Sequence, residues 1–410
     1  MDFDDTAEEA AFRTRVRSWL EEHAPAVEGD HRAHDPFRDP TADGEAAHIE
    51  ACQQWQRLLF DHGWAGLTWP TAYGGGGLSS HHQGIFNQEQ ARFDVSTGVF
   101  AVGIGMVGPT LIAHGTHDQK ERYLTPMLRG DEIWCQLFSE PEAGSDLASL
   151  RTRAARAEGG WVVSGQKVWT SGAHFSDFGI LLARTDPDVP KHAGITYFIV
   201  DMSSPGIDVR PLRQIDGSAH FNEVFLDDVA VPDGNVVGEV DGGWRVAQTT
   251  LLSERTLIGG GQRLGFDEVL ALAHRTGGAD DPRLRQELAR CFTRYEVLRY
   301  LGYRVQTAVS HGEPPGPEAS VMKLALSHHL EATGDLVMAL EGPAGTLLDG
   351  DAPGDGFWQY QFLGQWRSRI GGGTDQIQRN IVGERVLGLP REPRTDKDVP
   401  FRELPGVDRD

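Results

Sequence analysis

The sequence contains little cysteine and no cysteine pattern that binds a metal. Its 410 residues include three cysteines, Cys52, Cys135 and Cys291, which are isolated and lack CxxC spacing. Neither a disulfide framework nor a zinc site is therefore indicated. Scattered thiols fit a reducing compartment, so we expect a cytoplasmic protein.

Basic clusters are also missing. The chain carries 38 Lys and Arg against 60 Asp and Glu, which gives a formal net charge of -22 at pH 7. Binding to nucleic-acid phosphates requires clustered Lys and Arg, and no basic stripe stands out, so we expect no nucleic-acid partner. The acidic balance mainly favours solubility.

A secretory signal and a membrane span are not indicated either. The stretch MDFDDTAEEAAF (1–12) is acidic and has no basic region followed by an apolar one. Residues 95–117 contain no Asp, Glu, Lys or Arg, which is long enough to suggest a membrane span. Five glycines, Pro109 and two histidines in this stretch favour a buried helix that is broken near Gly108–Thr110 instead. We expect no membrane partner.

The hydrophobic period changes twice along the chain. Residues 1–133 have a helical period, and Thr6 and Glu9 suit a capping box at its start. Residues 134–241 alternate with period two, as in WVVSG at Trp161, which predicts a middle β domain. Helical periods return in residues 242–392, which predicts a helix bundle.

The last segment, 393–410, is rich in proline and charge, which is typical of an arm or a disordered tail. A Pro-rich stretch at His311–Pro317 predicts a break between helices of the bundle.

Three stretches carry groups suited to a ligand. CQLFSEPEAGSDLASL (Cys135–Leu150) supplies a Gly-Ser-Asp turn with hydroxyls and carboxylates, and GQKVWTSGAH (Gly165–His174) places a flat tryptophan beside two hydroxyls. RIGGGTDQIQRN (Arg369–Asn380) has a glycine triplet, which could be a phosphate cradle, a hinge or a site that has lost a side chain. The simpler interpretations are a solvated turn, a core tryptophan and an ordinary turn.

In this order the stretches resemble the acyl-CoA dehydrogenase flavoprotein family, whose signatures read like TEPGAGSD and KxWITN. The resemblance continues through Phe221–Trp244, Leu251–Gly260 and Gly371–Glu392, so it covers nearly the whole chain. It implies an α+β multidomain fold with an N-terminal α-helical domain, a middle β-barrel-like domain and a C-terminal four-helix bundle, and it implies FAD as the cofactor.

The resemblance also implies which residues contact FAD. In the family, the residues at Phe138 and Ser139 meet the flavin ring, Ser145 approaches the pyrophosphate, and Trp169 and Ser171 flank the isoalloxazine. The neighbouring Gly144 and Thr170 belong to the same signatures, and Thr374 and Gln376 match positions that contact the cofactor from the C-terminal bundle. The family's Arg-x-x-Phe-Gly, which reaches the diphosphate of a neighbouring subunit, is missing. His274–Gln286 stands in its place, so Arg275 is the candidate substitute.

The family's reaction removes two hydrogens from Cα and Cβ of an acyl thioester, with a carboxylate taking the α proton and flavin N5 taking the β hydride. It needs no metal. In many members the base is a Glu immediately before the GT of the C-terminal loop, and that position is Gly372 in this chain. The isovaleryl-CoA and long-chain acyl-CoA dehydrogenases place the Glu on an earlier helix before an Arg, which matches Glu254-Arg255. Gly372 then contributes only a backbone N–H that polarises the thioester carbonyl. Ser145, Arg255 and Gly372 are the expected substrate contacts.

Helical geometry supports Glu254 without the family. On a helix, Ala247, Leu251, Glu254 and Ile258 lie within about 40° of one another, so Glu254 falls in an apolar stripe. A carboxylate there is either functional or paired, and a structural Glu bound to another Arg is the alternative.

The other acidic candidates are weaker. Glu140 and Asp146 lie inside the flavin signature and are expected to order the turn. Asp375 is the rival to Glu254 for position, and Glu341 is expected to be a helix-end charge.

The leading hypothesis is FAD-dependent α,β-dehydrogenation of an acyl-CoA thioester, or of an acyl carrier protein thioester, with electron-transfer flavoprotein or another acceptor. A homo-oligomer, dimer or tetramer, is expected, and a heteromer is an alternative. Two other functions stay open: an oxygen-using flavoenzyme of the same fold, such as an acyl-CoA oxidase or monooxygenase, and a non-catalytic subunit of a heteromeric dehydrogenase. The glycine triplet would leave room for a branched or bulky acyl group.

Overall fold

The first helix begins at the cap that the sequence predicts. The Thr6 hydroxyl accepts a hydrogen bond from the Glu9 N–H, and the Glu9 carboxylate accepts one from the Thr6 N–H. This capping box satisfies two amides that a helix start would otherwise leave without partners. The apolar residues that this helix buries are Phe12, Val16 and Leu20.

The computed structural model describes residues 5–26, 42–260, 265–310, 316, 318–348, 350–393 and 396–405. Within these ranges, the side chains of residues 42, 43, 255, 256, 258–260, 306, 309, 310 and 318 are outside the description. Most of the predicted break at His311–Pro317 therefore lies outside the described residues.

Eleven α-helices occur among the described residues. They are α1 (Ala7–His23), α2 (Ala42–Asp61), α3 (Ser80–Gln90), α4 (Gly108–His114), α5 (His117–Arg129), α6 (Gly243–Gly260), α7 (Phe266–Thr276), α8 (Pro282–Ser310), α9 (Glu318–Glu341), α10 (Phe357–Ile370) and α11 (Asp375–Ile381). In the part of the chain that was searched, no helix is long and apolar enough to cross a membrane.

The strands form one curled sheet in the middle of the chain. They are β1 (Trp134–Leu137), β2 (Arg153–Ala157), β3 (Gly160–Ser171), β4 (Phe178–Arg184), β5 (Ile195–Asp201), β6 (Ile207–Leu212) and β7 (Phe221–Pro232). The order is β1-β4-β2-β3-β7-β6, with β5 also pairing with β4. The fold is therefore α+β, with helices before and after a middle sheet.

The chain divides into two compact units that are not consecutive in sequence. The helical unit comprises Met1–Arg38, Leu78–Ser96 and Arg255–Pro390, and the sheet unit comprises Asp39–Gly77, Thr97–Glu254 and Arg391–Asp410. The unit boundary after Glu254 falls inside α6.

Each unit has its own apolar core. In the sheet unit, alternating residues of β3 and β7, such as Val163 and Val224, point inward and are fully buried, as period-two strands require. In the helical unit, α7, α8, α9 and α10 pack around Leu272, Leu288 and Trp358. This second core is the helix bundle that the late helical periods predict.

The charge-free stretch at 95–117 is helical but does not break at Gly108–Thr110. A short 3-10 turn at Gly98–Phe100 leads into a π-helical segment, Gly103–Val107, and α4 follows without interruption. Pro109 lies within this continuous helix, and its missing N–H accompanies the wider turn of the π segment, in which the Gly108 N–H donates to the Gly103 carbonyl. The predicted break is therefore wrong, and a change from π to α geometry replaces it.

Residues 396–405 form an arm that docks on the sheet unit, the first of the two alternatives for the tail. The Phe401 N–H donates to the Val189 carbonyl, and the Arg402 N–H donates to the Pro187 carbonyl. Phe401 itself is buried.

Two helical glycines allow a matched test of the packing. A Cβ on Gly108 would overlap the ring of buried Trp69, whereas a Cβ on Gly302 in α8 would meet no atom within 4 Å. We expect Gly108→Ala to destabilise the protein by about 1–3 kcal/mol through overpacking, and Gly302→Ala to stabilise it by up to about 1 kcal/mol through helix propensity. Urea unfolding of both variants measures this. Equal effects of the two substitutions would contradict the packing at Trp69.

Candidate functional site

The chain that leaves β1 stays bonded to β3. The Val168 N–H donates to the Ser139 carbonyl at 2.9 Å, and the Lys167 ammonium donates to the Phe138 carbonyl at 3.1 Å. Phe138 is buried and Ser139 is half-buried. Two of the predicted flavin-ring contacts therefore sit directly against the strand that carries Trp169.

A buried ion pair fixes the next turn. The Lys167 Nζ lies 2.7 Å from Glu140 Oε1, and the two side chains are 0% and 7% exposed. The Glu140 carboxylate also accepts the N–H groups of Arg151 at 2.6 Å and Thr152 at 2.9 Å. Glu140 thus orders the turn, as expected, and it is not available as a general base.

Burial and the partner's charge have opposing effects on the pKa values of this pair. Burial would raise the pKa of Glu140, but the Lys167 ammonium and the two backbone donors outweigh burial and hold that pKa below its usual range. Burial lowers the pKa of Lys167, and Glu140 counteracts part of this effect. Removing either partner would leave the other charge buried without a counter-charge.

The turn that follows exposes the predicted pyrophosphate contact. Gly144 and Ser145 are exposed, and a Cβ on Gly144 would meet no atom within 4 Å. Asp146 accepts hydrogen bonds from the Ser149 hydroxyl at 2.6 Å and from the Lys191 ammonium at 2.7 Å. Burial would raise the pKa of Asp146, but these partners hold it below its usual range. Asp146 orders the turn as expected.

Trp169 lies at an irregularity in the pairing of β3 with β7. The pairing with β7 shifts between Lys167 and Thr170, and Trp169 adopts φ +60°, a conformation that is strained for a bulky residue. Its side chain is 59% exposed and lies edge-on to Phe221, with 5.9 Å between ring centroids. The strand therefore offers an aromatic face outward, which excludes the interpretation of a core tryptophan.

The two hydroxyl neighbours of Trp169 face opposite ways. Ser171 is exposed, on the same side of the strand as Trp169, whereas Thr170 is fully buried. The Thr170 hydroxyl has no hydrogen-bond partner among the described residues. A cofactor contact by Ser171 suits this geometry, whereas the predicted contact at Thr170 stays a prediction.

These residues suit a flat ring that has polar edges. An exposed indole face, the exposed hydroxyls of Ser145 and Ser171, and the backbone of Phe138–Ser139 supply an aromatic surface with donors and acceptors around it. Such groups are compatible with an isoalloxazine ring and a diphosphate tail.

A chain of buried hydroxyls connects α6 to this region. Thr250 Oγ1 lies 2.9 Å from Thr110 Oγ1 and 3.1 Å from the Tyr197 hydroxyl, and Thr110 donates to the Met106 carbonyl at 2.8 Å. One direction of donation, from Tyr197 to Thr250 to Thr110 to the carbonyl, uses every hydroxyl proton. The Tyr197 ring meets Phe138 edge to face, with 5.9 Å between centroids.

Glu254 lies one helical turn after Thr250. Upstream on α6, Val246, Ala247 and Thr250 are buried, and Leu251 and Glu254 are half-buried. Residues 251–254 are all half-buried, so burial there does not single out one face, and by helical geometry Glu254 lies about 40° around the helix from buried Thr250. The side chains of Arg255 and Ile258 lie outside the described residues, so the substrate contact of Arg255 stays a prediction.

In the helical unit, Gln378 holds the glycine loop. Gly372 and Gly373 have φ values of +65° and +89°, which favour glycine. The buried Gln378 side chain donates to the Gly372 carbonyl at 2.9 Å and to the Gly373 carbonyl at 3.3 Å. A Cβ on Gly373 would approach the Gln378 Nε2 to 2.6 Å. Gln378 is not among the residues that the sequence predicts for the site, because nothing local marks a glutamine as the residue that holds a loop.

Thr374 and Gln376 lie at the start of α11. The Thr374 hydroxyl accepts a hydrogen bond from the Ile377 N–H at 3.2 Å and so caps the helix, which leaves its proton available for donation. Gln376 is exposed. Their cofactor contacts stay predictions.

Asp375, the alternative candidate for the base, lies close to two positively charged side chains. It is 1% exposed and accepts hydrogen bonds from the Ser327 hydroxyl at 2.7 Å and from Arg369 Nε at 3.0 Å, with Lys323 Nζ at 3.6 Å. Burial would raise the pKa of Asp375, but these partners hold it below its usual range. It stabilises the helical unit and is a poor proton acceptor.

Arg275 and Glu341 lie at the ends of α7 and α9. Arg275 is exposed in the last turn of α7. Glu341 is the last residue of α9, and burial raises its pKa although the Arg275 charge opposes this. Among the described residues, no group of three His, Cys, Asp or Glu side chains is arranged to hold a metal.

The comparisons with known proteins identify the family of this chain. Sequence profiles of the acyl-CoA dehydrogenase N-terminal, middle and C-terminal domains match residues 6–131, 135–229 and 241–387. The chain is 44% identical over 339 residues to acyl-CoA dehydrogenase FadE34 of Mycobacterium tuberculosis, which covers 82% of this chain and 46% of that protein. It thus spans about half the length of FadE34.

A second relative matches over its full length. The chain is 39% identical over 395 residues to acyl-CoA dehydrogenase IpdE1 of Mycolicibacterium smegmatis, covering 93% of this chain and 98% of that protein. A solved structure named Tcur3481-Tcur3483 steroid ACAD superposes with a TM-score of 0.81 at 31% identity, covering 96% of this chain and all of that one.

The match to all three domains defines a flavin-dependent oxidoreductase. The chain belongs to the acyl-CoA dehydrogenase family, whose members bind FAD.

The ion pair under the flavin-signature turn predicts a pH-dependent stability. Because the folded pKa of Glu140 lies below its unfolded value, its contribution is fully present above the ordinary carboxyl pKa and is lost as pH falls through the folded pKa. We expect Glu140→Gln to lower the free energy of unfolding by about 3–5 kcal/mol near neutral pH, since Lys167 remains buried. Its stability should also fall less steeply than that of the wild type on acidification.

Urea unfolding from about pH 7 to about pH 3 measures both effects, because the loss begins only below the ordinary carboxyl pKa. Glu158→Gln, at an exposed residue of the β2–β3 turn, is the control and should be neutral. The double variant Glu140→Gln/Lys167→Met should recover part of the loss, because it removes both charges. Equal stability of Glu140→Gln and the control would exclude the proposed role of the pair.

Proposed function

We propose that this protein dehydrogenates an acyl-CoA thioester between Cα and Cβ, with Glu254 as the base that takes the α proton. The observation that carries the proposal is that half-buried Glu254 lies one helical turn after Thr250, which bonds to the Tyr197 hydroxyl, and that the Tyr197 ring contacts Phe138. The base therefore belongs to the same compact unit as the aromatic face of Trp169.

The competing carboxylates support the choice of Glu254. Glu140 is paired with Lys167, Asp146 with Lys191, and Asp375 with Arg369, and the pKa of each of the three acids lies below its usual range against the effect of burial. An acid whose pKa is lowered by a permanent cation is a weak proton acceptor.

Gly372 cannot replace Glu254. It has no side chain, and its φ of +65° is one that side-chain-bearing residues rarely adopt. We propose that its backbone N–H contributes to polarising the thioester carbonyl, and the Gln378 clamp would keep the loop in one conformation for this role.

The residues of the sheet unit that would hold FAD are Phe138, Ser139, Ser145, Trp169 and Ser171. Further contacts are predicted at Thr374, Gln376 and Arg275. FAD supplies the acceptor for the β hydride when bound. The protein side contributes the apolar wall of Phe138, the indole face of Trp169 and the hydroxyl donors around them.

Glu254→Gln tests the assignment of the base. The amide has nearly the same shape but cannot accept the proton, so we expect flavin reduction by a reactive acyl-CoA to slow by roughly 10²–10⁴-fold. FAD content should be unchanged. Anaerobic stopped-flow absorbance of the flavin measures the reduction rate, and the absorbance ratio of flavin to protein measures the FAD content.

Two controls sharpen this test. Glu254→Asp keeps a carboxylate and should retain measurable reduction, and Glu158→Gln should reduce at the wild-type rate. A near-normal rate of flavin reduction in Glu254→Gln would contradict the assignment of Glu254 as the base. Rapid reoxidation of the reduced flavin by air, coupled to product formation, would instead favour an oxygen-using enzyme.

We propose a bulky, ring-bearing acyl-CoA as the substrate class. Support comes from the similarity to a structure named as a steroid ACAD and from the missing side chain at Gly372. We expect cyclic or polycyclic acyl-CoAs to bleach the flavin at least about tenfold faster than straight-chain ones of equal carbon number. A spectroscopic panel of matched pairs decides this, and a preference for straight chains would contradict it.

We also propose that the active form is an oligomer, either of this chain alone or with a second, related chain. The similar structure carries two designations in its name, Tcur3481 and Tcur3483. Native mass spectrometry of the purified protein used in the substrate panel reports the assembly, and a fully active monomer would contradict this proposal. Electron-transfer flavoprotein is the proposed acceptor.

A further inference from the structure

We propose that the C-terminal arm, residues 396–405, holds the flavin-signature turn in place for FAD, with Lys191 and Asp396 as positioning residues. The inference goes beyond the proposed dehydrogenation and does not depend on Glu254. It rests on the predicted contact between Ser145 and the flavin diphosphate.

Lys191 connects the arm to the turn. Its Nζ lies 2.7 Å from Asp146 Oδ2 on the turn and 2.7 Å from Asp396 Oδ2 on the arm, with the Ser149 hydroxyl at 3.5 Å. Asp146 directly follows Ser145 in the sequence. One ammonium therefore bridges the arm to the residue beside the predicted diphosphate contact.

The bridge is buried at its centre. The Lys191 side chain is 6% exposed, whereas those of Asp146 and Asp396 are 56% and 29% exposed. A buried ammonium needs counter-charges. Removing the Asp396 contact would leave Lys191 with one carboxylate, so a conformation in which its ammonium is hydrated would become more favourable. Asp146 would then lose the partner that fixes it.

A second cation holds the arm and the turn together. The Arg184 guanidinium stacks on the Phe401 ring, 3.7 Å from its centroid, and donates to the Ala148 carbonyl at 2.6 Å and to the Lys191 carbonyl at 2.9 Å. Stacking on an aromatic face stabilises a cation that is removed from water. Phe401 thus supports the arginine that holds the end of the turn.

The space between the turn and the arm is polar. A cavity of about 300 Å³ lies there, lined by Asp146, Ser149 and Lys191 together with Asp396, Leu404 and Pro405. Since this space is not filled by apolar packing, the arm acts on the turn mainly through charge. Because Lys191 is buried while Asp146 and Asp396 are partly exposed, added salt should weaken the connection only in part.

A fixed turn favours cofactor binding because ordering it beforehand removes an entropic cost from the binding step. If the contacts between the arm and the turn are broken, the Gly144–Ser145 turn must become ordered when FAD binds, at an entropic cost. The expected result is weaker FAD binding without loss of the predicted contact atoms.

Asp396→Asn in the full-length chain tests the proposal. We expect the FAD dissociation constant of the apoprotein to rise by roughly 3- to 30-fold. Flavin fluorescence during reconstitution measures it. Lys191→Met should act in the same way, and Lys191→Arg, which keeps the charge, should recover most of the affinity.

The matched control is Asp188→Asn. It removes another arm contact, the ion pair between Arg402 and Asp188, but both side chains are more than half exposed. We expect a change of less than about twofold in FAD affinity, since exposed pairs contribute little.

Salt dependence separates positioning from general destabilisation. The wild-type FAD dissociation constant should rise between about 0.05 and 0.5 M NaCl, and Asp396→Asn should show a flatter response because the bridge is already broken. A merely structural role would lower the melting temperature and leave this slope unchanged.

Ser145→Ala checks the premise. If Ser145→Ala weakens FAD binding and Asp396→Asn does not, the predicted contact stands and the arm proposal is overturned. Unchanged FAD affinity in both variants also overturns it. Weaker binding in Asp396→Asn with the altered salt slope supports it, whatever the result for Glu254→Gln.

Discussion

The buried pair of Lys167 and Glu140 is the constraint on which the sheet unit's site depends. Lys167 occupies the strand position just before the irregularity at Trp169, and Glu140 opens the turn that leads to Ser145. Because each charge is excluded from water, the two segments must stay together or both must become hydrated. The aromatic face and the exposed turn therefore keep a fixed relation that neither could maintain alone.

The same logic recurs with other cations. Lys191 bridges the turn and the arm, and Arg369 holds Asp375 under the glycine loop. Lys191 is buried and Arg369 is half-buried, and each of them holds a segment that carries or adjoins predicted ligand contacts. Such a distribution commits the carboxylates of Glu140, Asp146 and Asp375 to structural ion pairs.

Local patterns predicted local structure well. The capping box at Thr6 and Glu9 and the alternating strands were readable because each depends on neighbours a few residues apart. The turn-ordering roles of Glu140 and Asp146 could also be predicted, since carboxylates beside a proline and a Gly-Ser-Asp turn commonly bond nearby donors.

What could not be predicted depends on residues far apart in sequence. Lys167 stands in a stretch singled out for its tryptophan and hydroxyls, yet its partner lies 27 residues earlier. Thr250 meets a hydroxyl 140 residues away. The arm's charges look like a solvated tail until Lys191 is placed beside them. The π segment before α4 likewise has no local signature that would distinguish it from a break at Pro109.

The interleaving of the two units limits how this polypeptide can be dissected. The chain passes from one unit to the other at 38/39, 77/78, 96/97, 254/255 and 390/391. A fragment that contains only the N-terminal helical region, the middle sheet region or the C-terminal helical region would lack segments that belong to its own compact unit. Gene fusions that borrow the flavin-signature sheet by itself would thus omit α2 and the arm, and chimaeras between relatives should exchange residues by unit and not by contiguous segment.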